Sequence, residues 1–177
     1  MFEGFETLDI QVGEVHIHGS HGGDGPPLLL LHGNPMTHIT WHKLAPVLSK
    51  HFHVVATDLR GYGDSSAPPA GDNNINYSFR AMANDQVHVM RSLGYDRFCV
   101  VGHDRGARVA HRMTLDHREV VERVALIDIL PSHHIWNHVS REWAQSSWHW
   151  VFMIQPEGFP ERMMGAVPAD WFMMQKL

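Results

Sequence analysis

The chain has 177 residues, 44% of them hydrophobic and 19% charged, which is enough apolar content to bury a sizeable core and excludes a disordered chain. A formal net charge of -5 and a pI near 6.3, with no long basic run, argue against a nucleic-acid partner, so any bound anion must be held by a local site. The single cysteine, Cys99, excludes an internal disulfide framework. No apolar run reaches the ~18 residues of a membrane span, and "MFEGFETLDI" lacks the basic start of a secretory leader, so a cytoplasmic location is expected.

In chain order, "TLDIQV" and "EVHIHGS" alternate as two strands of a hairpin about Gly13. "PPLLLLHG" is a short apolar run of the kind buried in a parallel sheet, which puts Leu28 to Leu31 at the sheet centre. "THITWHKLAPVLSKHF" reads as an amphipathic helix blemished by Pro46, and "HVVATDLRGYGDSS" as a strand running into a glycine-punctuated loop. "YSFRAMANDQVHVMRSLG" is a helix with Ser78 as N-cap and Gly94 as its stop. "RFCVVG", "ARVAHRMTLDH" and "VERVALIDILP" continue as strand, helix and strand. The alternation predicts an α/β fold, a mostly parallel sheet with helices on both faces.

Composition shifts after Pro131: five of the six tryptophans and five of the ten methionines follow it. Residues 1–131 are therefore expected to form the core and 132–177 a second, helical region, with "WNHVSREWAQSSWHWVFMIQ" as a helix bearing a broad aromatic face. Such a face suits a lid over a pocket, or equally a helix packed on the main core.

The stretch "VVGHDRGARVAHRM" decides the chemistry. A strand, then Gly102-His103-Asp104-Arg105-Gly106, then a helix is the pattern of a nucleophile elbow, in which small flanking residues allow a sharp turn that exposes the central side chain. An aspartate there, with an ordinary pKa of ~3.9, is ionised at neutral pH and needs no base before it attacks. Attack on an ester or amide would give a reactive anhydride. Attack on a saturated carbon bearing a leaving group gives an alkyl ester that activated water can hydrolyse, which favours halide release or epoxide opening.

Arg105 and Arg108 begin the following helix three residues apart and can share one face. Cations at a helix N-terminus oppose its dipole, so their placement points to an anion in the site, two guanidiniums clamping a substrate carboxylate; solvent-side salt bridges are the alternative. Upstream, the turn "HGNP" can offer the Asn34 N–H, together with that of Arg105, as an oxyanion hole, or be an ordinary turn stiffened by Pro35. Asp128, at the end of "VALID", is placed to orient a catalytic histidine, or to cap a turn before Pro131.

"HGNPMTHITWHKLAPVL", "VVATDLRGYGDSS", "YSFRAMANDQ", "VVGHDRGARVAHRM", "ALIDILP" and "WHWVFMIQP" together resemble the fluoroacetate (haloacetate) dehalogenases of the α/β-hydrolase fold, over nearly the whole chain. Related haloalkane dehalogenases and epoxide hydrolases usually carry tryptophan where Arg105 stands. The resemblance implies Asp104 as nucleophile, Arg105 and Arg108 as the carboxylate clamp, Asp128 as triad acid, and His149 and Trp150 of "WHW" as lid donors to the halide. It further implies a 2-haloacetate substrate converted to glycolate through an aspartyl ester; no cofactor, metal, nucleic-acid or membrane partner is expected, and a homodimer is one form open to the full-length protein.

Two features depart from that family. Asn34 stands where phenylalanine is usual, leaving room for larger halides. The general-base histidine and a lid tyrosine fall later in the family's longer chain, so residues 132–177 read as an incomplete lid and the C-terminal part of the fold as absent. An epoxide hydrolase is the nearest alternative, but it calls for a pair of lid tyrosines, and no tyrosine follows Tyr95. A haloalkane dehalogenase of the same fold and a catalytically incomplete carboxylate binder are the others. The histidine-rich "HIH", "SHHI" and "WHW" lack the spacing of a known zinc site.

Overall fold

A computed structural model describes residues 2–156 and 158–176, and the chain divides into two compact units, Met1–Pro131 and Ser132–Leu177. The first contains a six-stranded sheet. Its strands are β1 (Glu6–Val12), β2 (Val15–Gly22), β3 (Pro27–Leu31), β4 (His53–Thr57), β5 (Phe98–His103) and β6 (Val121–Ile127), in the order β1-β2-β4-β3-β5-β6. β1 and β2 form an antiparallel hairpin and β2 is antiparallel to β4, whereas β3 runs parallel to both β4 and β5, and β5 parallel to β6. The "LLLL" run therefore lies in the middle of the parallel part, as its unbroken apolar character requires.

Alternation along the strands builds two cores. Leu29 and Leu31 of β3, with Val55 and Val100, join one cluster, while Leu28 and Leu30, with Val54 and Ala56, join the other. The helices Phe79–Ser92 and Arg105–Asp116 supply Met82, Val87, Met90, Val109 and Met113 to the first cluster, and Trp41 and Ala45 close the second. Cys99 is half-buried against that second cluster.

The segment read as one long helix from Thr37 is instead a 3₁₀ turn, His38–Trp41, followed by the single-turn helix α1 (Ala45–Leu48). Pro46 has no N–H to donate, so it is tolerated only in a first turn, and the helix restarts beside it. α2 (Phe79–Ser92) starts at Ser78, whose hydroxyl accepts the Ala81 N–H at 3.2 Å, and stops before Gly94. α3 (Arg105–Asp116) follows β5 directly.

The second unit is all helical: α4 (Ser132–Asn137), α5 (Arg141–Ser146), α6 (Trp148–Met153), α7 (Phe159–Gly165) and α8 (Ala169–Lys176). The expected single aromatic helix is thus three short ones. Ser140 caps α5 by accepting the Trp143 N–H, and Ser147 separates α5 from α6. Trp136, Trp143 and Trp150 pack with ring centroids 5.8–6.1 Å apart, one from each of these helices. No helix among the described residues is long and apolar enough to cross a membrane.

Candidate active site

Because β3, β4, β5 and β6 are parallel, their carboxyl ends open on one edge of the sheet, where open α/β folds collect their functional loops. The loops that start there begin at His32, Asp58, Asp104 and Asp128.

The sharpest turn is at Asp104. It is the N-cap of α3 and adopts φ 47° and ψ -114°, a left-handed-side conformation that few non-glycine residues take and that occurs where surrounding structure enforces it. The enforcement is visible on both sides. A Cβ on Gly102 would come within 2.5 Å of the Gly106 carbonyl oxygen, and one on Gly106 within 2.4 Å of the Leu31 carbonyl oxygen, so α3 passes close over β3 and β5 only because both residues are glycine. The Gly106 N–H donates to His32 O at 2.9 Å and the Asp104 N–H to Ile127 O at 3.1 Å, tying the elbow to the strands on either side.

The carboxylate that this turn presents is about one third exposed and held at both oxygens. The Asn34 N–H donates to Asp104 Oδ1 at 2.9 Å, and a guanidinium nitrogen of Arg108 lies 3.4 Å from Oδ2. The Arg105 N–H makes no such bond to the carboxylate among the described residues, so half of the expected oxyanion pair is in contact. Arg108 is 8% exposed; burial pushes its guanidinium pKa down, and the Asp104 charge opposes that shift. Arg105 lies between two aromatic rings, its Cζ 6.0 Å from the Tyr62 centroid and 5.6 Å from that of Phe79, and its buried Nε has no hydrogen-bond partner among the described residues.

The turn that offers the Asn34 N–H is fixed from beneath. His32 is fully buried; its Nδ1 donates to Gly33 O at 2.8 Å and its Nε2 accepts the Leu59 N–H at 3.1 Å, a pattern that only the neutral ring can make. Burial also lowers its pKa. Further on, Asp58 accepts the His38 backbone N–H at 2.6 Å and its Nδ1 at 2.9 Å. Burial alone would raise the Asp58 carboxyl, but these bonds and one from the Asp64 N–H hold it below its usual value.

Asp128 lies one residue beyond β6 at φ 56°, 85% exposed at its side chain, with Oδ2 3.9 Å from His103 Nε2. His149 and Trp150 lie in α6 of the second unit, His149 against Trp148 and Trp150 against Trp136 and Trp143.

The sequence profile of the alpha/beta hydrolase fold matches residues 26–169. The chain belongs to the α/β-hydrolase fold family. It is 49% identical over 172 residues to a fluoroacetate dehalogenase from Burkholderia sp, covering 97% of this chain and 57% of that protein. A soluble epoxide hydrolase from Corynebacterium sp. (strain C12) is 41% identical over 115 residues, 65% of this chain and 38% of that one. Among solved structures, ALR0039 from Nostoc sp PCC 7120 superposes with a TM-score of 0.93 at 53% identity, covering 97% of this chain and 59% of its own. The chain thus spans a little under three fifths of the dehalogenase and of ALR0039.

Sequence reading missed Tyr62. Its hydroxyl donates to Asn34 Oδ1 at 3.0 Å, and its ring meets His32 edge-on at 5.1 Å. The available signal was its place between two glycines in "RGYGDS", on the loop leaving β4 at the same sheet edge.

Proposed function

We propose that this chain carries the nucleophile and carboxylate clamp of a hydrolytic dehalogenase acting on 2-haloacetates such as fluoroacetate and chloroacetate. The observation that carries the reading is the placement of Arg108 beside Asp104 Oδ2 while Oδ1 is held by the Asn34 N–H. In a haloacetate the carboxylate is one bond from the carbon under attack. A guanidinium beside the attacking oxygen is therefore where that carboxylate would lie, with Arg105 the second cation on the same helix turn.

In the reaction, a lone pair on Oδ2 forms a bond to the α-carbon, the carbon–halogen bond breaks, and its electron pair leaves with the halide. Water then adds to Asp104 Cγ and gives one proton to the general-base histidine that the resemblance implies; the negative charge that develops on Oδ1 is met by the Asn34 N–H already in place, the Cγ–Oδ2 bond breaks, and glycolate departs as the histidine returns that proton to its oxygen. Asp128 is the acid that orients this histidine. Likeness to a fluoroacetate dehalogenase supports the substrate class.

The second reading, epoxide opening, is favoured by the likeness to a soluble epoxide hydrolase. An epoxide has no carboxylate to occupy a site with two arginines. The two are separated by incubation with bromoacetate and, in parallel, with a neutral epoxide, each quenched in acid during turnover to trap the ester, followed by intact mass and peptide mapping. One carboxymethyl group on Asp104, cleaved by hydroxylamine as an ester is and lost in Asp104→Asn, is the expected result. A Cys99→Ser background removes the competing thiol. Modification only by the epoxide would overturn the dehalogenase reading.

A further inference from the structure

The "HGNP" turn carries one side-chain amide, that of Asn34, which presents a donor or an acceptor depending on which way it is turned. Its backbone N–H is already bonded to Asp104 Oδ1. In the structure the Tyr62 hydroxyl donates to Asn34 Oδ1 at 3.0 Å. With the carbonyl oxygen engaged, the two N–H bonds of the amide are left for the site, and none is used by another described residue.

Tyr62 is itself held firmly. Its N–H donates to Leu59 O at 3.0 Å, its carbonyl accepts the Ser65 N–H at 3.1 Å, and two residues before it Arg60 is clamped by Asp85 at 2.6 and 2.7 Å. Burial raises the phenol pKa, so the hydroxyl stays a donor throughout the neutral range. The same ring supports Arg105 at 6.0 Å. One side chain therefore contacts both the turn that holds the nucleophile and the first cation of the clamp, through two chemically separable contacts.

From this geometry we infer that Tyr62 is a positioning residue: it fixes the Asn34 amide with its N–H donors toward the departing group, and so sets the preference among leaving groups. The inference rests on the dehalogenase reading for the identity of that group. A leaving halide gains charge as the bond breaks, and a fixed donor helps the poorer leaving group most.

The test is a double-mutant cycle in the full-length polypeptide, with steady-state kinetics on chloroacetate and bromoacetate. Tyr62→Phe removes the hydroxyl and keeps the ring. It is expected to leave KM unchanged, to lower kcat for chloroacetate about tenfold, and to lower that for bromoacetate less. Asn34→Ala should show the same loss, and Tyr62→Phe/Asn34→Ala no more than Asn34→Ala alone. Tyr62→Leu, which also removes the support for Arg105, should raise KM in addition. The Asn34 side-chain amide resonance should shift in Tyr62→Phe. Equal losses on both substrates, or additive losses in the double variant, overturn the inference. Failure of the dehalogenase reading shows separately, as a wild-type protein that opens epoxides and releases no halide; the same cycle on epoxide opening then decides by additivity whether Tyr62 acts through Asn34.

Discussion

Asn34 and Asp104 are 70 residues apart in sequence and are joined by one hydrogen bond, backbone N–H to carboxylate, at 2.9 Å. The donor is thus in place on the carboxylate before any ester exists. Its geometry does not depend on substrate, because the turn that carries it is fixed by a buried neutral histidine beneath. In electrostatic catalysis such preorganisation removes the cost of turning dipoles as charge develops.

Arg108→Ala is expected to raise KM for haloacetate tenfold or more, since a charge-assisted hydrogen bond contributes roughly 1.5–3 kcal/mol. Arg108→Lys should recover only part of it, because an ammonium lacks the planar fork. Steady-state kinetics on chloroacetate provide the check; unchanged KM in Arg108→Ala would remove the clamp.

The backbone of Asp104 predicts an inverted order of stability among its variants. At φ 47° an alanine retains the strain and a glycine relieves it, so Asp104→Gly should be more stable than Asp104→Ala by about 1–3 kcal/mol. Urea denaturation of the two variants measures the difference. Equal midpoints would mean that the elbow relaxes once the carboxylate is gone.

Asp85 and Arg60 form a buried bidentate pair that anchors the loop carrying Tyr62 to α2. Burial raises the Asp85 carboxyl in spite of Arg60, so the pair itself is not a large net stabiliser. Asp85→Ala should nevertheless cost about 3–5 kcal/mol by leaving a buried guanidinium without its carboxylate, whereas Arg60→Met/Asp85→Leu should cost much less. Thermal and urea unfolding of both variants test this.

His32 makes stability depend on pH. Its folded-state pKa is depressed by burial, so at pH above the unfolded value of ~6.5 both states are neutral at this residue and nothing is lost. As pH falls below that, the unfolded chain takes up a proton that the folded one refuses, and stability declines by up to ~1.4 kcal/mol per pH unit until the folded-state pKa is reached. His21, lowered by burial and by its neighbour His53, acts in the same direction. Urea midpoints between neutral pH and about pH 5 should fall, and fall less steeply in His32→Asn/His21→Asn; parallel profiles would exclude these two residues as the source.

The sheet was legible in the sequence because its strands are marked by period and its turns by glycine. Leu28 to Leu31, Ser78, Gly94 and the Gly102–Gly106 elbow all stand where the pattern puts them. Two helices were misread. Apolar spacing carried through Pro46 and through Ser140 and Ser147, where local hydrogen-bonding chemistry breaks the chain into shorter pieces. At the candidate site, Asn34, Asp104, Arg105 and Arg108 can be nominated from the sequence because each lies in a motif with a mechanical reason. Tyr62, His32 and Asp58 act by reaching across to other strands, and such long-range contacts leave no local spacing to read.

The bond from the Asp104 N–H to Ile127 O makes the Asp104 amide the last rung of the β5–β6 ladder. Opening of the β5–β6 ladder at this end and displacement of the Asp104 carboxylate are consequently one event. Deuterium uptake at the Asp104 amide therefore doubles as a gauge of how often the catalytic geometry is lost.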